Sequence, residues 1–270
     1  MKIQPVTKER LSKMKKVVSV DENARRFIEE YNLVWNPVTM RYDCDGNVSV
    51  SDDIVIDGKL KIRFGKVDGY FSCSNNNLTT LEGAPKKVGG DFDCDFNNLT
   101  TLEGAPNEVG GYFNCTKNEL TTIEGAPHKV GWHFYCSGNK LTSLEGAPKE
   151  VGEFFLCNDN ELTTLEGAPQ YIIGEFCCSH NKLTTLEYAP KKVGWHFYCG
   201  DNELTTLEGA PNEVGGNFFC DHNKLTTLKG APQEVGGDFL CRNNNLTTLE
   251  GEPQKVGGDF YCDDNLLDNI

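Results

Sequence analysis

The sequence predicts a repeat solenoid, mainly β, and three observations carry that prediction. Ten cysteines from Cys73 to Cys262 stand 21 residues apart without exception. A phenylalanine lies two residues before each of them and an asparagine three residues after. A proline closes every complete return between one cysteine and the next Val-Gly-Gly corner, as Pro85 and Pro106 do. Aligned on the cysteines, the unit reads V-G-G-x-F-x-C-x-x-N-x-L-T-T-L-E-G-A-P-x-x, in ten copies over 67–270. Such a fixed period marks units that cannot stand alone and bury a continuous core by stacking.

The chain divides into a cap, 1–66, and the array, 67–270. In the cap, "TKERLSKMKK" suggests a short basic helix. A second helix is expected in "SVDENARRFIEEYNL", where Ser19 and Glu22 form a capping box and Ala24, Phe27, Ile28 and Tyr31 share one face. "NVSVSDDIVIDG" then suggests a small hairpin whose Ile54 and Ile56 begin the stack.

Within each repeat, F-x-C is strand. Alternation turns Phe and Cys to one side and the residue between them to the other. The asparagines (Asn76, Asn97, Asn118, Asn139, Asn160, Asn181, Asn202, Asn223, Asn244 and Asn265) form an unbroken structural ladder. A polar side chain at so constrained a position is expected to point inward and satisfy turn backbone groups that no strand ladder reaches. In L-T-T-L, adjacent residues face opposite ways, so one Thr of each pair is expected to turn inward, which argues against an ice-binding threonine ladder. The Ala-Pro segment suits an irregular or polyproline-like return, not a helix. At the far end no matching cap is apparent. Asp259, Asp263, Asp264 and Asp268 would guard that edge by charge, or the edge would form a homodimer.

Composition narrows the function classes. The net charge is −14. Residues through Lys66 carry 13 Lys and Arg against 10 Asp and Glu, and the rest carry 13 against 30. An acidic array argues against nucleic acid as a partner, because phosphate binding needs clustered cations. It permits a basic protein partner, or mimicry of DNA. No apolar run approaches the roughly 18–20 residues of a membrane span. The basic start has no apolar stretch after it, so no secretory signal peptide is expected. One cysteine per repeat, without a partner in its own repeat, reads as a small buried hydrophobe with a reduced thiol, and hence a cytoplasmic setting.

These spacings resemble the leucine-rich repeat, L-x-x-L-x-L-x-x-N-x-L. Phe92, Cys94, Asn97 and Leu99 match its last four positions and Leu102 follows; glycine replaces the usual first Leu, with Val88 one place earlier. "LTTLEGAP" followed by "FDCDFNNL" looks most like the short bacterial class found in secreted effectors. It is also similar to uncharacterised leucine-rich-repeat proteins of tailed bacteriophages. The resemblance implies a parallel concave sheet, extended convex loops, a small α/β N-terminal cap, and a binding role toward a host protein. Some such effectors carry a ubiquitin-ligase domain after the array; with this sequence ending at Ile270, that activity is not expected.

No catalytic constellation is apparent, and no enzyme activity, cofactor or metal is expected. His133 and His196 are three repeats apart, roughly 14 Å at ~4.8 Å per strand, too far to share a metal. His180 and His222, two repeats apart, are too distant as well. Cys177 occupies the outward place before the ladder cysteine, as a reactive thiol or as a small residue in a varied column. The interest lies in the outward columns. "KVGWHFYC" occurs at Lys129–Cys136 and again at Lys192–Cys199, three repeats on. The residue before each ladder cysteine is polar in the first three repeats and mostly aromatic or aliphatic thereafter. Trp132, His133, Tyr135, Phe154, Leu156, Trp195, His196, Tyr198, Phe219, Leu240 and Tyr261 thus form the candidate partner-binding face. Cross-strand stacking that only stabilises the sheet, or duplication that copied the cluster, would also place rings here. Acidic columns (Asp91, Asp93, Asp95) serving a DNA mimic, and self-assembly through the C-terminal edge, are the alternative functions.

Overall fold

The computed structural model describes residues 22–267. The expected basic helix, Ser19 of the capping box, and Asp268 lie outside them. The chain is a mainly-β parallel solenoid.

Helix α1 (Glu22–Glu30) buries Ala24 and Phe27, with Ile28 and Tyr31 packed against the same core. It ends where Asn32 turns left-handed (φ 50°) and the Leu33 N–H reaches back to the Ile28 carbonyl, a helix stop that asparagine tolerates. Strands β1 (Val34–Asn36) and β2 (Arg41–Cys44) are antiparallel. Strand β3 (Val48–Ser49) pairs parallel to β7 (Phe71–Ser72) and starts the long sheet. The hairpin is narrower than the sequence suggests: β4 (Val55–Ile56) and β5 (Lys59–Leu60) flank an Asp57-Gly58 turn with φ of 51° and 71°, the Asp-Gly type I′ geometry. Ile54 is buried, but Ile56 is exposed. Val48 takes the stacking role assigned to Ile56, because β3 is the strand in register with Phe71.

From β3 onward, eleven two-residue strands form one parallel sheet, in 21-residue register from Phe71–Ser72 to Phe260–Tyr261. Inside it the phenylalanines stack ring on ring. From Phe71 to Phe260 successive centroids are 5.1–5.6 Å apart. Phe64 and Phe27 carry the column into the cap, so the core crosses residue 66 without a break. The Cys and Leu ladders beside the rings are solvent-free through most of the array.

Each interior asparagine ties its turn to the previous repeat. The Asn118 amide donates to the carbonyls of Cys115 and Cys94 at 3.1 and 3.0 Å, while its oxygen accepts the Leu99 N–H at 3.0 Å. Aspartate could not substitute, since the two carbonyls need a donor. Asn265, in the last repeat, makes the same bonds but is only half-buried. The ladder thiols satisfy themselves similarly, as Cys157 Sγ donates to the Cys177 carbonyl at 3.2 Å.

The return contains a second ladder that the sequence reading, which expected only extended loops, did not anticipate. The Lys/Glu-Val pair before each Gly-Gly corner is a short parallel strand, beginning with β6 (Phe64–Val67) and β8 (Lys87–Val88). Several of its outward charges pair across repeats, as in Lys87–Glu108, Lys129–Glu150 and Lys192–Glu213 at 2.6–2.9 Å. The corner explains why glycine stands where the usual pattern has leucine. A Cβ on Gly131 would lie 1.9 Å from the carbonyl oxygen of Gly110, and the same contact recurs from Gly89 to Gly257. Ile173 is the exception, and there this ladder stops: one sheet ends at Glu150–Val151 and another begins at Tyr171–Ile172. Every other first-corner residue from Gly89 to Gly257 donates its N–H to the valine-position carbonyl of the repeat before; Ile173 does not.

The threonines settle differently from the alternation expectation. The first of each pair is exposed, and the second is half-buried against its own backbone, with Thr101 Oγ1 accepting the Glu103 N–H at 3.2 Å. Neither enters the core.

Candidate functional site: the outward face of the long sheet

Two columns of side chains stand outward from the long sheet, one just before each core Phe and one just after it. Alternation dictates this, since Phe and Cys point inward. The column after Phe, from Ser72 through Tyr135, Leu156 and Tyr198 to Tyr261, is half-buried throughout. Neighbouring members cover one another at the 21-residue register.

The column before Phe has a job beyond display. In several repeats its side chain accepts the backbone N–H of the same position one repeat on. Asp91 does so for Tyr112, Asn217 for Asp238 and Asp238 for Asp259, each at 2.9 Å. His196 Nδ1 accepts from Asn217 N–H at 2.9 Å, and His133 Nδ1 from Phe154 N–H at a longer 3.4 Å, with the Glu153 carboxylate 3.8 Å away. Both imidazoles therefore stand in for a carboxylate or amide acceptor, which leaves Nε2 for other contacts. His180 and His222 fall instead at the left-handed turn residue before the ladder asparagine, with φ of 54° and 55°.

The aromatic residues form two clusters. In the first, Tyr112 meets Tyr135, Tyr135 meets His133, and His133 stacks on Phe154 at 4.4 Å. Phe154 then reaches past Gly174 to Trp195, two repeats away, with centroids 5.8 Å apart. Gly174 permits this, since a Cβ there would be 2.5 Å from the Phe154 ring. Trp132 flanks His133, and the two tryptophans remain 59% and 56% exposed. In the second cluster Tyr198 stacks on Phe219 at 4.3 Å, with His196 edge-on to both. Leu156 and Leu240 lie in register beside Tyr135 and Phe219 respectively. At the far end Arg242 lies over the Tyr261 ring, 4.3 Å from its centroid. Tyr112, Gly174 and Arg242 were missed in the sequence. Tyr112 sits in the column of His133 and could have been found there, whereas the Gly174 gap shows only once Phe154 is placed.

The electrostatics are one-sided. The two columns and the residue after each cysteine carry Asp91, Asp93, Asp95, Glu175, Asp221, Asp238, Asp259 and Asp263, against Arg242 alone. Burial, reinforced by Asp95, pushes the Asp93 carboxyl up to about 6. Burial, and then the charges of Asp93, Asp91 and Asp95, push the Tyr112 hydroxyl up to about 12. Glu175 is raised by burial, with His196 opposing; Tyr135 and Tyr198 are raised by burial first and the Glu175 charge second. Burial also raises the Cys177 thiol, which suppresses its thiolate and leaves it a small wall residue.

Among the described residues no group of three or more His, Cys, Asp or Glu could hold a metal ion, and no helix is long and apolar enough to cross a membrane. No family model matches the chain, and no curated protein matches it. Among solved structures it is similar to YopM from Yersinia enterocolitica WA-314, at 15% sequence identity and a TM-score of 0.41, covering 76% of this chain and 59% of that one. The chain thus spans less than two thirds of that neighbour's length.

Proposed function

We infer that this protein is a non-enzymatic binding module that grips a basic protein partner on the outward face of its long sheet. The observation that carries this reading is the exposure of Trp132 and Trp195 beside half-buried Tyr135, Phe154 and Tyr198. None of these rings is needed for the core, which the Phe, Cys and Leu ladders already fill. Rings with a polar handle, flanked by an excess of carboxylates, are the composition of an interface that selects a cationic surface. By the resemblance to secreted effectors and tailed-phage proteins, the reading extends to binding that inhibits or redirects a host protein.

The test is selection from a random peptide library on the immobilised protein. Peptides enriched in Arg and Lys are expected, and they should fail to bind a Tyr135→Ser, Tyr198→Ser, Phe219→Ser variant. Native folding of the variant is checked by continued protection of its ladder thiols. Peptides retained equally by the variant would place binding elsewhere on the molecule.

A further inference from the structure

Glu175 stands out on this face. It is half-buried between the two aromatic clusters, in the column position between Phe154 and His196. Tyr198 stands on the next strand, in register with Cys177, and Tyr135 stands two strands back. After burial, the Glu175 charge is the next cause that raises both hydroxyls. The column beside it narrows at the same repeat, since Cys177 replaces the larger Leu156 and Tyr198 of the flanking strands. Among the described residues no Lys or Arg pairs with Glu175, although the Lys and Glu side chains of the return ladder pair repeatedly across repeats. Only the His196 imidazole of the next repeat offsets its burial. A carboxylate withdrawn from water without a Lys or Arg partner costs stability, and a cation arriving there recovers it.

The molecule itself shows what fits such a place. At the last repeats, Arg242 lies over Tyr261 with its Nε 3.3 Å from the Asp263 carboxylate, so ring and carboxylate hold one guanidinium between them. That Nε is buried and makes no well-aligned hydrogen bond, so stacking and charge do the holding. At Glu175 a carboxylate stands one strand from the Tyr198 ring, and among the described residues no Lys or Arg side chain pairs with it.

We propose that Glu175, with the Tyr198 ring on the next strand, is the seat for an arginine side chain of the partner's basic segment. This rests on the reading of the sheet face as the partner-binding surface. The planar guanidinium stacks on a ring while its edge meets a carboxylate, which an ammonium cannot do in the same pose.

The probe is a fluorescein-labelled tetra-arginine peptide, followed by anisotropy at low ionic strength, with tetra-lysine alongside. Glu175→Gln should weaken tetra-arginine binding by about fivefold or more, the scale of one charge-assisted contact. Glu124→Gln, which removes the same charge from an exposed return residue, should change it less than about twofold. Tyr198→Leu should weaken tetra-arginine more than tetra-lysine. Equal effects of the two glutamate substitutions, equal affinity for the two peptides, or no binding by the wild type would each overturn the arginine seat. The broader reading would survive any of these results if library-selected peptides still distinguish the Tyr135/Tyr198/Phe219 variant, and would fall with the seat if they do not.

Discussion

Two parallel ladders run the length of this array, and only one of them is continuous. The long sheet keeps its register over eleven strands, through every change in its outward columns. The return ladder, built on the same period, stops between Val151 and Ile172. The repeats on either side of the gap still stack, with Phe155 on Phe176 at 5.6 Å and the Gly174 N–H on the Glu153 carbonyl. The difference shows which contacts set the register. Phe, Cys and Asn impose it from within, and the Gly-Gly corner follows as closely as its side chains allow.

The strongest way to break the comparison is to remove an inner tie. Asn160 donates to the carbonyls of Cys136 and Cys157 and accepts the Leu141 N–H, all at 3.1 Å. Asn160→Leu strands those three groups in the core. It should cost about 3 kcal/mol or more in denaturant unfolding, since each buried unpaired group carries a desolvation penalty of about 1 kcal/mol or more. Hydrogen exchange should quicken on both ladders around the site. A loss under about 1 kcal/mol would mean that water replaces the amide, and that the asparagine does not set the register.

A smaller effect is expected at the corner. Gly131→Ala places a Cβ where Gly110 O already lies, so the return ladder should part there as it does at Ile173. The expected cost is about 2 kcal/mol, typical of overpacking, with loss of protection at the residue 131 N–H, which in the native chain bonds Val109 O at 2.9 Å. The reciprocal change, Ile173→Gly, should join the two short sheets and gain no more than about 1 kcal/mol, one hydrogen bond less the entropy of a glycine. If Gly131→Ala leaves the exchange pattern intact, then the gap at Ile173 has another cause.

The inner ladder was legible in the sequence because its chemistry repeats. Phe, Cys, Asn and Leu recur at one spacing, and a period of two assigns their direction. The return ladder was not legible, since Lys-Val and Glu-Val beside glycines and prolines carry no strand pattern of their own; the neighbouring repeat makes them strands. Ile56 failed for a related reason, because a local alternation cannot say which strand aligns with Phe71. On the outward face, alternation alone puts the aromatic residues of the two columns on the side opposite the core Phe and Cys. It could not show that His133 and His196 also hold the next repeat's backbone, nor that Phe154 bridges to Trp195 across Gly174. Both depend on contacts between repeats, which no single repeat encodes.

The least of the expected effects separates the polar start of the outward face from its aromatic middle. Asp93 is held up to about 6 by burial and by Asp95, against about 3.9 in an unfolded chain. Between those values the native protein binds more protons than the unfolded one, so stability from this group falls as pH rises from about 4 to about 6 and stays lowered above. Asp93→Asn removes the charge and keeps an oxygen for the Asp95 N–H, which Asp93 accepts at 3.4 Å. The variant should be more stable than the wild type by about 1 kcal/mol above pH ~7, after allowance for partial solvent screening, with the gain gone by pH ~4. A parallel Tyr135→Asn variant should show no such pH-dependent gain, since it removes no carboxylate. If Asp93→Asn is instead neutral at every pH, the carboxylate is fully solvated. The acidic start would then be a hydrated surface, and the selective burden of the face would fall on the rings and Glu175.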